Sequence, residues 1–248
     1  MTTAPAADQR RLLDVQDLDT RLDQLAHKRR TLPELARLVE LDSQVGDLRN
    51  SLITSRTAVG DLKRELTKAE ADVEQVRVRA QRDQGKLDSG LGSPKDLQAL
   101  QSELGTLGRR QEALEEVELE VMERLEAHEK ALADVTVAHD SLAEKRAAVE
   151  AERDAAFAAL DADADRLRAE RAEAVEGLDA ALVTLYEKLR AQLGGRGAGA
   201  LRGARCESCR LELNPLDVEG IRKAPDDQVV RCEECGRILV RLPEPARG

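Results

Sequence analysis

The stretch from Val45 to Ala80, VGDLRNSLITSRTAVGDLKRELTKAEADVEQVRVRA, decides the fold of this chain. Its positions Val45, Leu48, Leu52, Ser55, Val59, Leu62, Leu66, Ala69, Val73, Val76 and Ala80 follow one another in alternating steps of three and four. An α-helix repeats every 3.6 residues or so, and these steps keep one narrow apolar stripe on a single face. A stripe of two positions per heptad is a coiled-coil seam, narrower than the apolar face of an ordinary surface helix. The residues between are mostly charged or polar, which leaves the rest of the helix in water.

Working outward toward the N-terminus, Val15, Leu18, Leu22, Leu25 and Leu32 carry the same period in a phase offset by two residues. Pro33 lies between the two runs, lacks a backbone donor and disfavours helical geometry at Leu32, so the sequence predicts a break or kink there. Toward the C-terminus the seam dissolves at Gln84, and Gly85, Gly90 and Gly92 predict a helix end and a chain reversal, a tip near 85–93. Ser93-Pro94-Lys95-Asp96 then reads as a new helix start, with Ser93 as N-cap and Pro94 as first helical residue. The second helix holds Leu97, Leu100, Leu104, Leu107, Leu114, Val121, Leu125, Leu132, Val135, Leu142, Val149, Ala156 and Leu160 in one heptad frame, interrupted by polar seam positions such as Gln111, His139 and Arg146. The fold class expected is mainly α: a long antiparallel helical hairpin over 8–193, followed by a small C-terminal β zinc ribbon. A reversal centred near Ser89 places Asp8 opposite Glu170. Beyond that point the stripe moves by one position to Val175, Leu178, Leu182, Leu185 and Leu189. These must bury against the metal module, the extreme N-terminal residues or a second protomer, which makes them the candidate homodimer face.

The segment 194–205 holds five glycines, three arginines and no acid, and is expected to be a flexible, basic linker. After it, Cys206-Glu-Ser-Cys209 and Cys232-Glu-Glu-Cys235 are the only cysteines of the chain. Two C-x-x-C turns at this separation match a four-thiolate zinc site, because each turn aims two sulfurs at one point and two turns close a tetrahedron. The ribbon is expected over 206–242, with the loop and strands between the turns organised around one Zn2+. Gly236, directly after Cys235, suits the positive φ such a turn needs. Four thiolates fill the coordination sphere, so the ion is structural. A rubredoxin-like iron site uses similar turns, whereas a redox dithiol uses one pair and leaves the other unexplained. With almost no aromatic residues, the ribbon needs metal binding to supply its folding energy.

Composition narrows the function classes. Charged residues make up 35% of the chain and aromatics 1%, the profile of long helices and not of a large globular core. The net charge of −10 excludes a general affinity of the whole chain for polyanions. No apolar run approaches the ~18 residues that span a bilayer, and the start lacks the apolar core of a signal peptide. With every cysteine assigned to the metal and none left for a disulfide, a reducing cytoplasmic location is expected. His27, His128 and His139 are scattered along helices, no phosphate-binding glycine loop follows a strand, and no catalytic constellation has a pocket; the expectation is not an enzyme.

The long helices, the run Ser93-Pro-Lys-Asp-Leu-Gln-Ala-Leu-Gln-Ser-Glu-Leu104, the helix end Leu185-Tyr-Glu-Lys-Leu189 and the turn Cys232-Glu-Glu-Cys-Gly-Arg-Ile-Leu239 together resemble the bacterial C4-type zinc-ribbon coiled-coil proteins. That resemblance covers the whole chain and places the family's four ligands on Cys206, Cys209, Cys232 and Cys235. It implies a non-enzymatic adaptor, since family members have been linked to an alternative sigma factor and to messenger RNA. Two functions follow from the residues. A protein-interaction scaffold in transcription or RNA handling would use the tip, at Lys86, Leu87, Leu91 and Lys95. A nucleic-acid-binding protein would use the ribbon's arginines, at Arg202, Arg205, Arg210, Arg231, Arg237 and Arg241, although nearby acids are as numerous and no ring is present for base stacking.

Overall fold

A computed structural model describes residues 2–242, in which eight elements follow the chain: α1 (Ala6–Arg30), α2 (Pro33–Asp88), α3 (Pro94–Val175), α4 (Ala180–Gln192), β1 (Ala198–Arg202), β2 (Arg205–Cys206), α5 (Pro215–Lys223) and β3 (Ile238–Arg241). The chain divides into two compact units. One is Ala36–Glu150; the other combines the described residues up to Leu35 with those from Ala151 onward.

The Ala36–Glu150 unit is an antiparallel helical hairpin. All the seam positions predicted between Val45 and Ala80 are buried or half-buried. The next step of the same frame falls on Asp83, a buried acid held by Lys86 at 2.8 Å and flanked by Arg79 at 3.9 Å. Removing a Leu or Val side chain from water is worth roughly 1.5–3 kcal/mol, so the row of seam residues, and not helix propensity, holds the pair together. The tip is shorter than the glycines suggest. α2 runs through Gly85 to Asp88, because an isolated glycine inside a packed helix costs only about 1 kcal/mol. The reversal occupies Ser89–Ser93, where Gly90 and Gly92 take φ of 64° and 145°. Ser93 and Asp96 form a reciprocal cap. The Asp96 carboxylate accepts from the Ser93 amide (3.1 Å) and hydroxyl (2.7 Å), and the Ser93 hydroxyl accepts from the Asp96 amide (3.3 Å).

Cross-helix pairing differs from the expected register. Asp42 meets Arg146 where a turn centred near Ser89 would place Thr136, and Lys63 meets Glu129 (2.8 Å) where it would place Glu115. Two effects add. The reversal is centred on Leu91, and side chains on both antiparallel helices lean toward their own N-termini, so contacting residues carry higher numbers than the backbone levels they bridge.

In the other unit, α1 stops at Arg30 and α2 restarts at Pro33, which confirms the break; the Thr31 amide closes α1 on the His27 and Lys28 carbonyls. A second break was not anticipated. The helix expected to run to 193 ends at Val175, turns through Gly177 (φ 76°), and resumes as α4 once the Asp179 side chain accepts from the Leu182 amide at 2.9 Å. This break explains the one-position move of the leucine stripe: α4 is a separate helix with its own face. That face is covered by the chain itself. Leu182, Tyr186 and Leu189 are buried against Leu12 and Val15 of α1 and against Ala198, Ile238 and Val240, with Val175, Leu178 and Leu185 packed at the margin. Of the candidate homodimer face, Leu182 and Leu189 are therefore buried by the chain itself and Val175, Leu178 and Leu185 half-buried.

The expected flexible linker is also corrected. Its residues Ala198–Arg202 are β1, the middle strand of a sheet ordered β2-β1-β3, antiparallel to β2 and parallel to β3. Glycine serves close packing here. A Cβ on Gly197 would come within 2.6 Å of the Tyr186 carbonyl oxygen, and one on Gly199 within 2.5 Å of the Ser208 Cβ. The segment between the cysteine turns, expected as loop and strand, contains α5. Asn214 caps it by accepting from the Leu216 amide (3.0 Å), Pro215 opens it, and Val218 and Ile221 face inward.

Candidate metal centre

Each cysteine turn is built the same way. The Cys206 amide donates to the Leu211 carbonyl and the Arg210 amide returns to the Cys206 carbonyl at 2.7 Å; likewise the Cys232 amide donates to Arg237 and the Gly236 amide to Cys232 at 2.8 Å. The residue after each second cysteine has positive φ: Gly236 at 71°, as the sequence predicts, and Arg210 at 63°, the one non-glycine residue with positive φ among those described. The turns aim Cys206, Cys209, Cys232 and Cys235 at one point, with all four sulfurs within 4.8 Å of one another and Cys209 Sγ 4.0 Å from Cys232 Sγ. A tetrahedron with Zn–S bonds of ~2.3 Å sets its sulfurs about 3.8 Å apart, so the donor set fits zinc.

Burial pushes the Cys206 thiol up, and pushes Cys232 up to about 12, against the opposing pull of the backbone amides within each turn. At Cys235 burial acts the same way, but the Arg237 amide and guanidinium with the neighbouring thiols outweigh it and hold the pKa below its ordinary value. These amides and Arg237 are the groups that orient and stabilise thiolate ligands. Around them, Leu201, Leu213, Val218, Ile221, Val230 and Leu239 form a dry shell. A zinc ion bound by all four sulfurs has no open position for water or substrate, so its chemistry is structural: it ties the two turns together.

The other residues singled out in the sequence do not converge on a site. Arg205 donates to the Arg210 carbonyl, Arg231 to Gly236, and Arg237 to Arg196 and Leu193. Arg241 donates to five carbonyls, those of Ile221, Ala224, Pro225, Asp226 and Gln228. Each of these four guanidinium groups thus bonds backbone carbonyls, Arg205 and Arg231 through Nε alone while their side chains stay exposed. Arg202 lies 3.7 Å from Glu207, and Arg210 is exposed. At the tip, Leu91 is 82% exposed, Lys95 is exposed, Leu87 is half-buried and Lys86 is engaged by Asp83.

Sequence reasoning missed the polar groups that join α1 to the ribbon. Gln16 Oε1 accepts from the Gly197 amide (2.7 Å) and the Ala198 amide (3.3 Å), while its Nε2 donates to the Gly195 carbonyl. Gln9 donates to the Ala4 and Asp226 carbonyls, and the Ala4 amide donates to Asp227 at 2.7 Å. One turn below, buried Asp19 receives the Tyr186 hydroxyl (2.7 Å) and two bonds from Arg171 (2.6 and 3.2 Å), with Arg190 Nε 3.4 Å away. Burial, reinforced by the adjacent Asp19 carboxylate, pushes the Tyr186 hydroxyl far above its ordinary pKa. The one available signal was the placement of Gln9, Gln16 and Asp19 among apolar residues of α1.

Residues 15–194 match the CT398-like coiled coil hairpin domain, and residues 205–239 match the C4-type zinc ribbon domain. The chain belongs to the CT398-like coiled-coil hairpin family. A Mycobacterium tuberculosis protein of uncharacterised role is similar to this family member at 37% identity over 239 residues, covering 96% of this chain and 97% of its own. A solved structure from Mycobacterium smegmatis, 38% identical, covers 97% of this chain and 100% of that one with a TM-score of 0.85. CT398 from Chlamydia trachomatis shares the fold, with a TM-score of 0.69 over 95% of this chain and 98% of its own at 19% identity. Among the described residues, no helix is long and apolar enough to cross a membrane.

Proposed function

We propose that this CT398-like protein is a non-enzymatic, zinc-stapled protein-interaction scaffold that acts in transcription or RNA handling in the cytoplasm. The observation that carries this reading is the fate of the ribbon's cations. Four of the six candidate arginines donate to backbone carbonyls of the chain itself, three within the ribbon and Arg237 at the end of α4, while large apolar side chains remain in water, Leu91 at 82% and Leu216 at 75% exposure. Exposed leucines, one at the hairpin tip and one in the first turn of α5, suit a protein partner, whereas a nucleic-acid surface is built from free cations and stacking rings. Of the four tip residues, exposed Leu91 and Lys95 are the ones this reading uses for the contact.

The test is site-specific photo-crosslinking in the native cell, with the reactive side chain at Leu91, at Leu216, or at exposed Thr67 as control. The scaffold reading expects discrete protein adducts from Leu91 or Leu216 and none from Thr67. Adducts that disappear with nuclease, together with gel shifts at low salt that weaken as salt rises, would replace it with nucleic-acid binding.

A further inference from the structure

Two adjoining recesses run along α1 and share Lys28. The first, about 430 Å³, lies between one face of α1, with Thr20, Gln24 and His27, and the turn Gly194-Gly195-Arg196. The second, about 400 Å³, opens at the break between α1 and α2, where Leu32 and Pro33 face Ala156, Ala159 and Leu160 of α3. Both exist because of the local backbone. The first is walled by a turn whose two glycines hold φ of 72° and 90°; the second fills the space left where the helix stops and small side chains lie opposite.

Their chemistry is complementary. In the first, Lys28, His27 and Arg196 carry no ion pair among the described residues, and the one acid, Asp23, is neutralised by Arg190 at 2.8 Å. Asp23 is also pinned against Gly195, where a Cβ would come within 2.7 Å of its carboxylate. Cations in the last turn of α1 complement the helix dipole, but that does not account for Arg196, which belongs to another element and borders the same recess. The second recess is lined almost wholly by apolar atoms, and Lys28 borders both.

We propose that this groove docks an acidic peptide segment of the partner protein, with carboxylates at Lys28 and Arg196 and an apolar side chain seated between Pro33 and Ala159. Charge complementarity selects this occupant: unpaired cations beside an apolar pocket, in a chain of net charge −10, match a peptide that carries acids around a hydrophobic anchor. A nucleic-acid strand would lose phosphate hydration against the apolar half and find no ring to stack on. The inference rests on the scaffold reading and names the partner's chemistry.

The probe is a random dodecapeptide phage library selected on the zinc-loaded full chain. Enrichment of sequences with Asp or Glu around a large apolar residue is expected. Binding of the selected peptide should fall about tenfold in the double variant Lys28→Glu, Arg196→Glu, and several-fold in Ala159→Leu, which fills the pocket. Lys63→Glu, in the other unit, should change nothing. Retained zinc and an unchanged circular dichroism spectrum verify that each variant folds. A selection without an acidic consensus, peptide binding that survives both groove variants, or oligouridylate binding that the charge reversal abolishes would each overturn the proposal. Crosslinks from Leu91 or Leu216 alongside such a failure would leave the scaffold reading intact and remove only the groove.

Discussion

Asp19 is a carboxylate almost wholly removed from water, tolerated because Arg171 binds it through two nitrogens and the Tyr186 hydroxyl donates to it. Arg171 in turn meets Glu187, and Arg190 meets Asp23, so the charges alternate across α1, α3 and α4. Breaking such a cluster costs more than the cluster contributes, since it strands the remaining charges in a dry environment. Asp19→Ala should therefore destabilise the protein by about 3–5 kcal/mol, whereas removal of the exposed Asp23 carboxylate should cost at most about 1 kcal/mol. Urea unfolding followed by circular dichroism, with the Asp19→Asn and Tyr186→Phe pair in a double-mutant cycle, measures both; equal losses at the two aspartates would show that Asp19 is not the keystone of this layer.

At the scale of elements, the α2–α3 hairpin carries carboxylates whose pKa values are lowered. Hydrogen bonding to Lys86 lowers Asp83, the Ser93 hydroxyl and amide lower Asp96, and Gln111 and then Arg77 lower Glu115. A depressed folded-state pKa means the unfolded chain binds protons first. Stability from these groups is thus fully present above the unfolded values near pH 4 and is lost as pH falls through the lower folded values. The melting temperature of the hairpin should drop on acidification below about pH 4 and hold steady above it; thermal melts across that window check the sign, and a rise in stability on acidification would contradict it. This element was legible in advance because a seam, a proline break and a serine cap are each encoded within a few neighbouring residues. The break before α4 was harder to read, because Gly177 and Asp179 interrupt a pattern that resumes only one position out of phase.

For the whole molecule, the metal acts on one of the two units. Zinc binding to four thiolates supplies roughly 10–16 kcal/mol in small metallo-domains, more than the aromatic-free shell around this site can replace. Removing it should release the ribbon, and with it residues 2–4, whose backbone is bonded to the Asp227–Val229 segment. Hydrogen exchange with and without chelator should show lost protection in 198–242 and at the N-terminus, while 36–150 stays protected; uniform loss along the chain would contradict the division into two units. The sequence by itself determined the coiled-coil seam, the break at Pro33, the cap at Ser93 and the four ligands, because each is a spacing rule acting over a handful of residues. Only the tertiary structure decided that the Gly-rich segment is the central strand β1, that the Leu182 and Leu189 face is interior, and that Gln16 and Asp19 fasten the helices to the ribbon. Those outcomes depend on partners far apart in the chain, 40 residues for β1 with β3 and more than 150 for Gln16 with Gly197 and Asp19 with Tyr186. A strand of alanine and glycine has almost no propensity of its own, and it becomes a strand because β3 and Gln16 satisfy its amides.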